Sequence, residues 1–203
     1  MTNILIVGLG VIGGSALKTL SKATNFKIYV SDINKQTLKK ALKEEGAIKF
    51  TTEYDDLDII VVCLEPLATY TYFSTHLNLI NKKTILVDVT GVKSSYYLKT
   101  KQLLSDNIYF STHPMAGSEN GGYDYSKPNL FYDKNLIVIG KKILNQKLHT
   151  LTVALGFKNI TFMEYKKHDK LISYLSTLPH ALAVSLLNIE EVRGYSKISG
   201  DSF

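Results

Sequence analysis

Three glycines stand at a spacing that can do chemistry. Gly8, Gly10 and Gly13 fall in the run Gly8-Leu9-Gly10-Val11-Ile12-Gly13-Gly14, directly after the apolar stretch Asn3-Ile4-Leu5-Ile6-Val7. Ser15-Ala16-Leu17-Lys18-Thr19-Leu20 then continues with helical spacing. The pattern reads as strand, glycine turn and helix. In such a turn the first glycine permits the tight bend, the second lets backbone approach a pyrophosphate, and the third lets helix pack on strand. The helix start at Val11 and Ile12 offers free N–H groups and a positive dipole end to the anion. These residues point to a bound dinucleotide.

A second β-run, Lys27-Ile28-Tyr29-Val30-Ser31, ends at Asp32, 19 residues after Gly13. An acid at the end of the second strand can accept both ribose hydroxyls of the adenosine half and would repel a 2′-phosphate, which favours NAD over NADP. Lys35, Lys39 and Lys40 lie nearby and pull the other way, but no arginine stands there to clamp a phosphate bidentately. The competing role for Asp32 is to cap a helix starting near Asn34.

The elements that must position these residues alternate along the chain. Strands are expected at about 3–8, 27–32, 57–64, 84–89, 108–112, 135–139 and 159–162, with helices at about 13–23, 35–45, 67–79, 93–104 and 143–155. Continuous apolar runs such as Ile59-Ile60-Val61-Val62 suit a parallel sheet covered on both faces. The fold class is therefore α/β, a Rossmann-type doubly wound, mostly parallel sheet. From Thr112 to Lys134 the rhythm breaks into Gly, Pro, Asn, Asp and Ser, and a long irregular stretch beyond a strand end is where open α/β sheets bind ligands.

From about Tyr165 to Val192 the pattern is helical, with Leu171, Leu175, Leu178, Leu182, Leu186 and Ile189 recurring three and four apart. Ile172, Ala183 and Leu187 lie off that stripe. A helix apolar on most sides must be buried on most sides, so a partner subunit or further chain should cover it. Pro179 should kink or interrupt it.

Composition narrows the function classes. The chain has 203 residues, 45% of them hydrophobic, and a formal net charge of +6 carried almost wholly by lysine. The basic residues do not interleave with aromatics along one stripe, so nucleic acid is not an expected partner. No apolar run reads as a bilayer span, and Met1 leads directly into a core strand, so neither a membrane anchor nor a signal peptide is expected. The single cysteine, Cys63, reads as a core residue in a reducing cytoplasm. No His/Cys cluster suggests a metal site. His76 and His149 are expected on the surface, and His168 as a structural residue.

The irregular stretch opens with His113-Pro114-Met115-Ala116-Gly117-Ser118-Glu119. Taken with the glycine run through Ser15, Asp88-Val89-Thr90-Gly91-Val92-Lys93, His168-Asp169 and Ser176-Thr177-Leu178-Pro179-His180, the sequence resembles the prephenate dehydrogenase family of tyrosine biosynthesis. The likeness covers nearly the whole chain. It implies an NAD-binding Rossmann domain over 1–164, and over 165–203 the first part of a helical substrate and dimerisation domain, hence a cytoplasmic homodimer.

The resemblance implies NAD-dependent oxidative decarboxylation of prephenate to 4-hydroxyphenylpyruvate. His113 matches the family's catalytic histidine. A neutral imidazole, with a reference pKa of ~6.5, can take the substrate hydroxyl's proton as hydride departs. His180 matches a substrate-pocket histidine, and Glu119 an acidic pocket residue. Ser118 and Thr90 are read with them as substrate-binding.

Two departures stand out. The family commonly has Gly-Ser before Val-Lys, where the serine contacts the catalytic histidine or the nicotinamide, and this chain has Thr90-Gly91. Thr90 is the candidate to supply the hydroxyl from one position earlier. The sequence also stops at Ile198-Ser199-Gly200-Asp201-Ser202-Phe203, before the family's carboxylate-binding arginine. The sole arginine is Arg193, beside Glu190 and Glu191. The chain is accordingly expected to bind NAD but to turn over prephenate poorly unless another chain completes the site. Rival readings are an arogenate dehydrogenase, a non-catalytic NAD-binding protein, and a 3-hydroxyacid dehydrogenase using Lys170.

Overall fold

The computed structural model describes residues 1–23, 25–51, 53–140 and 145–188. The chain divides into two units, Met1–Tyr165 and Lys166–Phe203.

The first unit is built on one eight-stranded sheet. Its strands are β1 (Thr2–Val7), β2 (Phe26–Ser31), β3 (Ile48–Lys49), β4 (Ile59–Val62), β5 (Ile85–Asp88), β6 (Ile108–Pro114), β7 (Asn135–Ile139) and β8 (Asn159–Met163). The spatial order is β3-β2-β1-β4-β5-β6-β7-β8, so the order reverses between β1 and β4. All neighbours pair in parallel except β6 with β7. Among the described residues, the sheet is flanked by the α-helices α1 (Val11–Leu20), α2 (Lys35–Glu45), α3 (Pro66–His76), α4 (Tyr97–Leu103) and α5 (Gln146–Ala154).

Alternation along the central strands sends side chains to two separate cores. Ile4, Ile6, Val30, Ile59, Val61, Ile85 and Val87 pack with Leu17 and Leu20 of α1 and Leu148 and Leu151 of α5. Leu5, Val7, Ile60, Val62 and Leu86 pack with Phe73 of α3 and with Leu104 on the opposite face. The expected Rossmann-type doubly wound sheet is what these residues form.

Three details differ from the sequence expectation. β3 was not foreseen: it is two exposed residues long and pairs only Ile48 and Lys49 with Tyr29 and Val30, too short to show an apolar period. The helix expected from 93 begins at Tyr97, because Lys93 is drawn into the interior by the contacts described below. β6 runs on to Pro114, where its antiparallel ladder sets His113 opposite Ile137. His113 thus lies on a strand end rather than in a loop.

The second unit is described to Asn188. Helix α6 (Tyr165–Ile172) leads into a π-helical turn, Ser173–Thr177, and then α7 (Leu178–Leu187), with Pro179 in its first turn. The N–H of Leu178 reaches back five residues to the Ser173 carbonyl. Proline lacks the donor that an α-turn needs, and a wider turn just before it accommodates the loss. Leu175, Leu178, Leu182 and Leu186 are exposed in the single chain. The helical stretch Tyr165–Leu187 is 23 residues long and contains an 18-residue window of mean hydropathy 1.2, which by length and composition alone suffices to cross a membrane, contrary to the sequence expectation. Lys166, Lys167, Asp169 and Lys170 crowd its first turns.

Candidate active site

The glycine turn is shaped by close approach. Gly8 holds φ +88°, a backbone conformation that L side chains rarely adopt, and its N–H donates to the Ser31 carbonyl at 2.8 Å. A Cβ on Gly13 would stand 1.9 Å from the Gly8 carbonyl oxygen, so α1 can start this close to β1 only with glycine there. At Gly10, which caps α1 without a side chain, a Cβ would meet nothing within 4 Å. Open space therefore lies in front of the helix start at Val11 and Ile12, where N–H groups lack helical acceptors. This ground fits a pyrophosphate.

Asp32 completes the cradle. One carboxylate oxygen accepts from Leu9 N at 2.6 Å, and the other from Asn34 N at 2.7 Å. It does not cap α2. Asn34 does, accepting from Gln36 N and Thr37 N. The carboxylate thus braces the glycine turn, and each oxygen keeps acceptor capacity for a ribose hydroxyl.

The strand register aligns Val7 of β1, Val62 of β4, Asp88 of β5 and Ser111 of β6 in one row. His113 lies two residues beyond that row on the same edge of the sheet. Three strand spacings separate β1 from β6, about 14 Å. Gly91, just past β5, faces the imidazole: a Cβ there would lie 3.5 Å from Nε2.

Beneath Gly91 is a buried ion pair. Lys93 Nζ, 1% exposed, donates to Asp88 Oδ1 at 2.9 Å, to Thr90 Oγ1 at 3.0 Å and to the Thr112 carbonyl at 2.7 Å. Thr90 donates its hydroxyl to Asp88 Oδ1 at 2.6 Å, Tyr109 donates to Oδ2 at 2.5 Å, and Thr112 Oγ1 donates to the Asp88 carbonyl at 2.7 Å. Burial alone would push the Asp88 carboxyl up, but the Lys93 ammonium and the two hydroxyls outweigh it and hold it below its ordinary 3.8. Burial and the adjacent Asp88 charge hold the Tyr109 phenol well above its usual value, so it stays a donor. The network clamps both the residue preceding His113 and the turn that carries Gly91.

Each residue singled out from sequence has a definite place. Gly8, Gly10, Val11, Ile12, Gly13 and Asp32 converge on one cradle. Thr90 corrects the sequence reading: it is buried with its hydroxyl committed to Asp88 and Lys93, so it does not take the place of a serine at 91. Ser118 and Glu119 are exposed on the segment beyond β6. His180 is exposed on α7, in the second unit. Lys170 is exposed on α6. Arg193 and residues 198–203 lie outside the described residues. His76 is not a bare surface residue. It stacks on Tyr72 with ring centroids 4.5 Å apart and bonds the Tyr72 carbonyl through Nδ1 at 2.8 Å. His149 is exposed, and His168 Nδ1 pairs with Asp169 at 2.7 Å. Burial, aided by the Asp88 charge, pushes the Cys63 thiol up to about 12, which leaves it inert. No group of three or more metal-ligating side chains occurs among the described residues.

Sequence reasoning gave Asp88, Lys93 and Tyr109 no role. The signal was a lone acid closing the apolar run Ile85-Leu86-Val87, with a lysine five residues on.

A doubly wound sheet with a glycine turn at its reversal point and an acid ending the second strand defines a nucleotide-binding domain of the Rossmann type. Comparison with known proteins narrows the class. Residues 15–155 match the family "Prephenate dehydrogenase, nucleotide-binding domain", and the chain belongs to that family. The cyclohexadienyl dehydrogenase of Zymomonas mobilis is 26% identical, over 97% of this chain and 69% of its own length. The prephenate dehydrogenase of Lactococcus lactis is 29% identical, over 92% of this chain and 53% of its own length. Among solved structures, prephenate dehydrogenase from Aquifex aeolicus in complex with hydroxyphenyl propionate and NAD+ superposes with a TM-score of 0.78 at 28% identity, covering 100% of this chain and 72% of that one. The chain thus spans from about half to some seven-tenths of the length of the relatives it matches.

Proposed function

We propose that this chain binds NAD and serves the oxidative decarboxylation of prephenate to 4-hydroxyphenylpyruvate. One observation carries the reading: the strand register sets His113 on the same sheet edge as the glycine cradle. Family membership and the ligands of the Aquifex enzyme support the choice of cofactor and substrate.

When bound, NAD+ supplies the hydride acceptor. The chain's own residues do the rest. The turn from Gly8 to Gly13 and the start of α1 hold the pyrophosphate, and Asp32 accepts the ribose hydroxyls. His113 takes the proton of the substrate hydroxyl as hydride leaves the carbon that bears it. Asp88 and Lys93, through Thr112 and the turn at Gly91, hold that imidazole in place. Ser118 and Glu119 contact the substrate from the segment beyond β6, and the substrate role of His180 rests on the family resemblance alone. Carbon dioxide departs as the ring becomes aromatic.

The working form in this reading is a cytoplasmic homodimer. The exposed leucines of α7 support a second copy as their cover, and light scattering of the purified chain reads the state directly.

The test is NADH formation with prephenate and, separately, with arogenate, alongside calorimetric titration of NAD+. Slow prephenate-dependent NADH formation that His113→Asn abolishes, with NAD+ affinity retained, is the expected result. A chain that binds no NAD+, or one whose turnover survives His113→Asn, overturns the reading. Preference for arogenate would move the substrate by one amino group and leave the roles of the residues unchanged.

A further inference from the structure

The glycine after the fingerprint has its own tight contact. Gly14 lies on the face of α1 turned to the segment between β6 and β7, and a Cβ there would stand 2.8 Å from Ser126 Oγ and 2.9 Å from both Ser126 Cβ and Tyr123 Cδ2. Tyr123 is 4% exposed and Ser126 6%, so neither has room to retreat. Adjacent residues of α1 fasten the same segment. Ser15 Oγ, fully buried, accepts from Lys127 N at 2.9 Å, and Lys18 Nζ donates to the Ser126 carbonyl at 3.2 Å while lying 4.5 Å from the Tyr123 ring centroid. The Thr19 hydroxyl reaches the Pro128 carbonyl, and Lys40 of α2 pairs with Asp124.

Between this anchorage and the β6–β7 ladder, residues 115–122 form a short bridge. Its near end is held where Met115 N donates to the Asn135 carbonyl at 2.9 Å. Ser118 and Glu119 sit in the middle of the bridge, and 117–122 are exposed. A bridge of eight residues fixed at both ends takes its position from its anchors, and here one anchor is the helix whose first turn faces the cofactor cradle.

We infer that the face of α1 made by Gly14, Ser15 and Lys18 is a positioning element for the segment bearing Ser118 and Glu119, so that loading the cofactor cradle sets the substrate-facing bridge. The inference rests on the proposed function in taking NAD+ as the occupant of the cradle.

Hydrogen exchange of the amides in 115–122, measured with and without NAD+, tests it beside calorimetric NAD+ affinity. In the wild type NAD+ should slow exchange across the bridge by roughly threefold or more. In Ser15→Ala and Lys18→Met, affinity should stay within about twofold while that slowing disappears. Lys18→Arg, which keeps a cation over the ring and a donor for the Ser126 carbonyl, should restore it. Gly14→Ala is the harsher variant, and should it fail to fold the two milder ones decide the matter. A wild type that binds NAD+ with no change in the bridge, or a Ser15→Ala and Lys18→Met pair protected as well as the wild type, overturns the coupling alone. A wild type that does not bind NAD+ overturns the cofactor assignment, and the coupling with it.

Discussion

A Cβ built on Gly91 lies 3.5 Å from Nε2 of His113 and 3.8 Å from its Cε1. Both are ordinary van der Waals distances, so a methyl group fits there but occupies the approach to the nitrogen. Gly91→Ala is therefore expected to fold as the wild type does and to bind NAD+ equally well. Its kcat/KM with prephenate should fall about tenfold, equivalent to ~1.4 kcal/mol of transition-state stabilisation. Gly91→Ser adds a hydroxyl within reach of Nε2 and should recover more activity than the alanine variant. Steady-state kinetics of the two variants side by side are the check.

His113→Asn keeps a polar side chain on β6 but removes the proton acceptor. Turnover of prephenate should drop by about 10²–10⁴-fold, the usual scale for a lost general base. NAD+ affinity and the thermal midpoint should change little, because the cradle lies at the far side of the strand row.

The Asp88–Lys93 pair should dominate the acid stability of the first unit. Asp88 is held below 3.8 in the folded chain, so its contribution is complete above that value and is lost as pH falls below it towards the folded value. Lys93→Met leaves the carboxylate buried without its cation and should destabilise the fold by about 3–5 kcal/mol near neutral pH. Tyr109→Phe removes one donor and should cost less, about 1.5–3 kcal/mol for a bond to a charged group. Denaturant unfolding at a series of pH values separates the variants. An unchanged acid limb in Lys93→Met would contradict the assignment.

Asp32→Ser removes the acceptor for Leu9 N and the charge that disfavours a 2′-phosphate. NAD+ affinity should weaken by about tenfold, ~1.4 kcal/mol, and the preference over NADP+ should narrow. Paired titrations with the two dinucleotides measure both effects.

The parts legible in the sequence were those with a period or a rigid spacing. Continuous apolar runs marked β1, β4, β5 and β7, and the glycine spacing marked the start of α1. What escaped had no local signal. Ile48 and Lys49 become a strand only because Tyr29 and Val30 are there to pair with. His113 looked like a loop residue because Pro114 and the glycines after it suggested a turn, whereas a ladder to residues more than twenty positions away carries β6 through it. Thr90 looked available as a hydroxyl donor. Its commitment to Asp88 follows from Lys93 folding back across four residues, and no periodicity reports that.

The π-helical turn at Ser173–Thr177 shifts the phase of the long helix. One extra residue in a turn advances all that follows by about 100° around the axis, so side chains that would align four apart across the turn align five apart instead. Leu171, ahead of the turn, and Leu178, Leu182 and Leu186, after it, therefore belong to two angular sectors. A neighbour gripping the helix must follow that rotation, or two different neighbours must each take one sector. Deleting a single residue from the turn would merge the sectors into one continuous seam and should alter what the helix associates with.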